Sequence, residues 1–199
     1  MALRGEPDWA DADPGSNMRL AGDGGALRDV LRPEVLAMQH RATGRVLDIR
    51  GPLAGGFAYE AIRELVVAPP RSLGERAGEP FDTVCSFGAM AAAPCLETLV
   101  ATLRPLVAPA GRLLFVELDG DARGWRRRLD GVARRRWGLS MARDVTGALW
   151  AGGFEVISLD RIPLRGGPPG LLRVVVGIAR LDPHRLEEPA ELNVTGVVP

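Results

Sequence analysis

Three stretches of this chain place polar or conformationally free residues at the end of an apolar run. In RVLDI (45–49) Asp48 stands near the end, and RGPLAGG (50–56) follows with Gly51, Gly55 and Gly56. FDTVCS (81–86) ends on Ser86, with Phe87 and Gly88 next. LLFVEL (113–118) carries Glu117, with Asp119 just beyond. A carboxylate accepts hydrogen bonds or holds a proton, and a hydroxyl both donates and accepts. A glycine lets backbone come close to a ligand. Each residue also has a plainer use. Asp48 can cap a loop, the glycines can serve turns, and Phe87 can simply pack. Glu117 reads as a solvated or capping residue, and Asp119 has the geometry of a base. The run AMAAA (89–93) has no polar group to orient a substrate, so it suits a small apolar acceptor or a filled pocket.

Other chemistries find no residues. His40 and His184 stand alone, and no Cys/His spacing reads as a metal site. There is no nucleophile elbow and no phosphate loop. Cys85 and Cys95 both lie in apolar stretches and read as buried, reduced thiols of a cytoplasmic protein. The 25 acidic residues cancel the 25 basic ones over 199 residues, which excludes a generally basic nucleic-acid binder. No apolar run approaches the roughly 20 residues of a membrane-spanning helix. The opening MALRGEPDWADADPGSN lacks the apolar core of a signal peptide. Seven arginines cluster between 123 and 136, in groups at 126–128 and 134–136. They read as a solvated face, or as a contact for an anion, an acidic partner or a membrane surface.

The elements that must position these residues follow from periodicity and punctuation. Residues 1–24 form a polar, mobile lead-in. Helix starts near Gly25, restarts at Pro33 and stops at Thr43-Gly44. RVLDI, ELVVA (64–68), FDTVCS and LLFVEL read as buried strands. Leu96, Leu99, Val100 and Leu103 mark a helix over 94–107. Residues 122–137 look helical, with Trp125, Leu129, Val132 and Trp137 roughly on one side. Ser140 is placed to cap a further helix reaching Trp150. FEVISLDRI (154–162) and LLRVVVGIA (171–179) are two more strands, and 181–199 is a loose tail. Strands alternating with helices imply one three-layer α/β domain over 25–180, with a mostly parallel sheet.

Four of these segments, in this order, resemble the class I S-adenosylmethionine-dependent methyltransferases. GRVLDIRGPLAGG (44–56) resembles their first strand and glycine-rich loop, and FDTVCS their fourth strand. TLRPLVAPAGRLLFVE (102–117) resembles the helix, turn and strand that follow. GLSMARD, LWAGGFEVISLDRIPL and VVVGIAR (138–180) look like the C-terminal third of the small thiol methyltransferase-like branch. The resemblance implies a Rossmann-like sandwich whose last strand is antiparallel, with S-adenosylmethionine beyond the carboxyl ends of the strands. It implies Asp48, Gly51, Gly55, Gly56, Ser86 and Phe87 as the cofactor contacts, with no metal. Arg143-Asp144 resembles the turn that opens the family's late helix, where a cap or a helix–helix ion pair is expected.

The pattern also departs from the family. Its loop is D/E-x-G-x-G-x-G, whereas Arg50, Pro52 and Ala54 hold the three glycine positions here. Pro52 removes a backbone donor where the cofactor's methionine end would lie. The family's ribose-binding acid aligns with Ala68. Only residues 69–80 separate the second strand from FDTVCS, too few for a further strand and its helix. The third family strand is therefore expected to be missing. That leaves six strands ordered 2-1-4-5-7-6 in family numbers, with 64–68 as an exposed edge able to pair with a homo- or hetero-oligomeric partner. Two functions stay open. One is methyl transfer from S-adenosylmethionine to a small molecule. The other is a non-catalytic methyltransferase-like protein, a pseudoenzyme acting as a partner or scaffold subunit.

Overall fold

The computed structural model describes residues 24–76, 78, 80–120, 130–135, 138–163 and 173–186. They form a six-stranded sheet with helices on both faces. The strands are β1 (Thr43–Ile49), β2 (Ala61–Ala68), β3 (Phe81–Phe87), β4 (Val107–Asp119), β5 (Phe154–Pro163) and β6 (Arg173–Leu181). Their order is β2-β1-β3-β4-β6-β5, the order expected from the short 69–80 segment. β2, β1, β3 and β4 are parallel, and β6 is antiparallel to both β4 and β5. Among the described residues no strand intervenes between β2 and β3, and those of 69–80 hold two 3-10 turns, Pro70–Ser72 and Gly74–Arg76.

The helices are α1 (Gly24–His40), α2 (Ala89–Ala92), α3 (Leu96–Leu103), α4 (130–135), α5 (Val145–Ala151) and α6 (Pro183–Leu186). Successive strand residues point to opposite faces, so the sheet feeds two cores. One gathers Leu47, Ile49, Val84 and Phe115 with Leu99, Leu103 and Leu149 of α3 and α5. The other gathers Val46, Cys85, Leu114 and Val116 with Leu31, Val35 and Met38 of α1. Asp48 lies two residues beyond Val46 and alternates with Leu47 and Ile49, so its side chain lies on the α1 face.

Several local expectations are corrected. Pro33 sits inside one continuous α1 rather than restarting it. Proline removes one helical hydrogen bond, and the buried Leu31, Val35 and Met38 hold the helix to the sheet across that gap. Gly44 is not a helix cap but part of β1, at φ +72°, where the pairing with β2 shifts register. A Cβ there would lie 2.3 Å from Asp82 Oδ2, which instead accepts the Arg45 amide at 2.7 Å. Ser140 does not cap α5. Its hydroxyl donates to Asp130 Oδ1 at 2.7 Å, while Asp144 caps α5 by accepting the Gly147 amide at 2.8 Å. In α4 Ala133 faces inward and Val132 is exposed, the reverse of the expected side. Trp125, Arg126–Arg128, Leu129, Arg136 and Trp137 lie outside the described residues. So do residues 1–23 and 187–199 of the expected lead-in and tail.

The crossover from β1 to β2 contains no helix at all. Residues 50–60 make it as an irregular loop, whose backbone groups must find partners without helical bonding. Gln39 of α1, fully buried, supplies two of them. Its Nε2 donates to Gly56 O and its Oε1 accepts the Ala58 amide, each at 3.0 Å. Gln39→Ala is expected to lower unfolding free energy by about 1–3 kcal/mol, because two shielded backbone groups lose partners. Chemical denaturation should register this as a lower midpoint with an unchanged slope.

Candidate functional site

Strand order reverses between β1 and β3, since β2 lies to one side of β1 and β3 to the other. In open α/β sheets ligands bind beyond the carboxyl ends at such a switch. Here the loop after β1 folds over that position. The Arg50 amide donates to Ala68 O at 3.0 Å, and the Ala54 amide to Gly51 O at 3.0 Å. The Leu53 amide donates to Phe87 O at 3.2 Å, joining the loop to the end of β3. Pro52, Leu53 and Phe87 are all buried. A Cβ on Gly51 would lie 2.4 Å from both Phe87 O and the Ala89 nitrogen. A Cβ on Gly88 would lie 2.8 Å from Leu53 Cγ. The close approach these glycines permit is to the chain's own backbone. Gly55 and Gly56 face open space, with nothing within 4 Å of a Cβ.

Asp48 lies under this loop. The Tyr59 hydroxyl donates to its Oδ2 at 2.8 Å, while Oδ1 has no hydrogen-bond partner. At 1% exposure, desolvation pushes the carboxyl above its usual range. The Tyr59 bond and the Arg50 charge oppose that shift. Burial also raises the Tyr59 hydroxyl and the adjoining Cys85 thiol. The Arg50 guanidinium stacks over Phe57, 4.7 Å from the ring centre. Asp48, Tyr59 and Cys85 are thus a buried protic cluster beside the loop.

Ser86 and Glu117 meet across β3 and β4. The Ser86 hydroxyl donates to Glu117 Oε1 at 2.6 Å. The same oxygen accepts the Met90 amide at 3.1 Å, and Oε2 accepts the Ala91 amide at 2.9 Å. Glu117 therefore caps α2, and it is fully buried rather than solvated. Burial outweighs these bonds and pushes its carboxyl up to about 7. Asp119, half-buried, accepts the Val145 amide at 3.0 Å and ties β4 to the start of α5. The Arg143 guanidinium donates to the carbonyls of Ala93 and Pro94, so it braces the turn before α3. Cys85 is buried as expected, but Cys95 is exposed at the N-cap of α3, its thiol 3.3 Å from Glu97 Oε2.

The structure brings together two sets of sequence-nominated residues. Gly51 and Phe87 touch through backbone, and Ser86 is held by Glu117. Asp48 is instead joined to Tyr59, and Gly55 and Gly56 stand away from both sets. Sequence reading missed Gln39, Leu53 and Tyr59 as site residues. The chain's single tyrosine and a glutamine on the apolar face of α1 were the available signals. No group of three or more metal-ligating side chains occurs among the described residues.

Comparison with solved structures places this architecture. The N-methyltransferase NodS of Bradyrhizobium japonicum, solved with S-adenosylhomocysteine, matches with a TM-score of 0.53 and 17% identity, over 77% of this chain and 86% of its own. YcgJ of Bacillus subtilis matches with a TM-score of 0.52 and 13% identity, over 74% of this chain and 97% of its own. The 1,6-didemethyltoxoflavin N1-methyltransferase of Burkholderia thailandensis was solved with 1,6-didemethyltoxoflavin and S-adenosylhomocysteine. It matches with a TM-score of 0.50 and 18% identity, over 80% of this chain and 84% of its own. No family model and no curated protein matches the sequence. At these identities the likeness is one of fold, and the fold is that of the class I S-adenosylmethionine-dependent methyltransferases, mostly parallel with its last strand antiparallel.

Two outcomes follow from this geometry. Gly51→Ala is expected to lower stability by about 1–3 kcal/mol, since the new methyl meets backbone on two sides. A thermal melt compared with Gly55→Ala, a site in open space, should show the drop only for Gly51. The Glu117 carboxyl, raised from 4.5 to about 7, favours the fold when protonated. Its contribution is full below about pH 4.5 and is lost as pH rises through about 7. Relative to Glu117→Gln, the wild type should lose about 3 kcal/mol across that interval. Urea titrations of both proteins at pH 4.5 and 8 measure the difference.

Proposed function

We propose that this chain is a methyltransferase-fold protein that does not use S-adenosylmethionine and acts as a non-catalytic partner or scaffold subunit. The observation that carries this reading is the filled crevice at the carboxyl ends of β1 and β3. Pro52 and Leu53 are buried there, and the Leu53 amide is spent on Phe87 O. The residues present do not fit the cofactor. Amides at the start of a helix after β1 could hold a carboxylate, but no helix follows β1. Ala68, at the family's ribose-binding position, is a buried methyl whose carbonyl accepts the Arg50 amide. Ser86 is committed to Glu117 and Phe87 is fully buried. β2 is an edge strand with half-exposed apolar residues. Its 64–68 segment is the surface through which a homo- or hetero-oligomeric partner would pair. A cytoplasmic location belongs to this reading and is supported by the two free thiols. Among the described residues no helix is long and apolar enough to cross a membrane.

One observation favours a second reading, methyl transfer from S-adenosylmethionine to a small molecule. Asp48 stands at the family's acidic position, and its buried Oδ1 has no partner. Asp48, Gly51, Gly55, Gly56, Ser86 and Phe87 would be the contacts of a rearranged loop. Calorimetric titration of the full chain with S-adenosylmethionine and S-adenosylhomocysteine separates the two. The first reading expects no heat of binding at millimolar ligand. Saturable binding that Asp48→Ala abolishes, with the fold intact by circular dichroism, would establish the second.

A further inference from the structure

Amide and carbonyl bonds seat most of the 50–60 crossover, and they do not respond to pH. The Leu53 amide holds its near end to Phe87 O, and Gln39 holds its far end through Gly56 O and the Ala58 amide. One tie is ionisable: the Tyr59 hydroxyl, next along from Ala58, donates to Asp48 Oδ2 at 2.8 Å. Among the described residues this is the only donor to Asp48, and its buried Oδ1 has none. Between the two ends of the loop, a Cβ on Gly55 or Gly56 would meet nothing within 4 Å, so its middle is not packed down.

The two protonation states of Asp48 fit this seat unequally. A neutral acid is served by one hydrogen bond, whereas a carboxylate accepts on both oxygens and is costly to bury without donors. Glu117 meets three donors; Asp48 meets one. The titratable and charged groups that act on it are Tyr59 and Arg50 from the crossover and Cys85 from β3. Arg50 is stacked over Phe57, and no hydrogen bond joins it to Asp48 among the described residues. The other elements on this face are apolar here: α1 brings Leu31, Val35 and Met38, and β2 brings Ile62 and Leu65. Burial therefore raises the carboxyl, and its proton favours the seated loop. That contribution is full below the ordinary value of 3.8 and is lost as pH rises through the raised one.

We propose that the 50–60 crossover is a proton-operated latch, seated while Asp48 holds its proton and released from the end of β3 when Asp48 ionises. The proton passes to water as the loop lifts and solvent reaches both carboxylate oxygens. Release frees the Leu53 amide and Phe87 O at the reversal of strand order, so a single proton governs whether the loop lies there. The inference holds for a chain that binds a cofactor and for one that does not.

The test is hydrogen exchange read by mass spectrometry at pH 4 and pH 8, corrected for the intrinsic pH dependence of amide exchange. The full-length wild type is compared with full-length Asp48→Asn and Tyr59→Phe, and circular dichroism checks the fold of each. Peptides from β4 report any loosening of the whole domain, including that which follows Glu117. Relative to β4, protection of residues 50–60 is expected to fall about tenfold from pH 4 to pH 8 in the wild type and to stay level in Asp48→Asn. Tyr59→Phe keeps the carboxyl without its donor, so its protection starts lower and falls further. A level profile in the wild type overturns the proposal, and so does an equal fall in Asp48→Asn. Where Asp48→Asn does not fold, Tyr59→Phe decides: a fall no steeper than that of the wild type overturns the proposal.

Discussion

The bond from the Leu53 amide to Phe87 O organises the centre of this molecule. It anchors a crossover that has no helix to satisfy its own backbone, and it does so at the reversal of strand order. Because Leu53 sits there, Gly51 and Gly88 must be glycine: the loop and the β3 end approach until any side chain would meet backbone or Leu53. Gln39 takes up the loop's other end, and Tyr59 reaches back to Asp48. One short loop thereby makes the crossover from β1 to β2 without a helix, and it lies at the reversal of strand order.

Two buried carboxylates show how the same burial is resolved differently. Glu117 meets a hydroxyl and two amides at the start of α2, so both of its oxygens are satisfied. Asp48 meets only the Tyr59 hydroxyl, leaving Oδ1 without a partner. Glu117 therefore joins β3, α2 and β4 into one unit. Asp48 remains a polar group whose environment was built around a partly satisfied acid. Its Oδ1 stays without a hydrogen-bond partner, while Tyr59 and Leu53 beside it are committed to bonds within the chain.

The sheet's shortened side also leaves β2 at an edge. With two 3-10 turns between β2 and β3, β2 has a neighbour on one side only among the described residues, and Val67 is 37% exposed. Arg63 and Glu64 interrupt the apolar row and pair with Asp82 and Arg45 on the same chain. Charged side chains on an edge strand of this kind discourage indiscriminate pairing.

Much of the architecture was legible in the sequence. Each of the six strands was a distinct apolar run, and strand order followed from counting residues between Ala68 and Phe81, because a parallel crossover needs a minimum length. The element ends were less legible. Pro33 reads as a restart and Gly44 as a cap, since local propensity knows nothing of the sheet that holds α1 or the Asp82 side chain that fills the space at Gly44. The site residues were legible as types and positions: Asp48, Ser86 and Glu117 all stand near strand ends. What they bond to was decided by tertiary structure alone. Ser86 and Glu117 are thirty-one positions apart in the chain, and Gln39 meets Gly56 and Ala58 across another helix-to-loop gap. The sequence by itself determined a doubly covered α/β sheet lacking one strand, because periodicity and loop length are local quantities. Only the folded chain decided that Leu53 is anchored to the end of β3, because that depends on which backbone groups meet once distant segments are packed together.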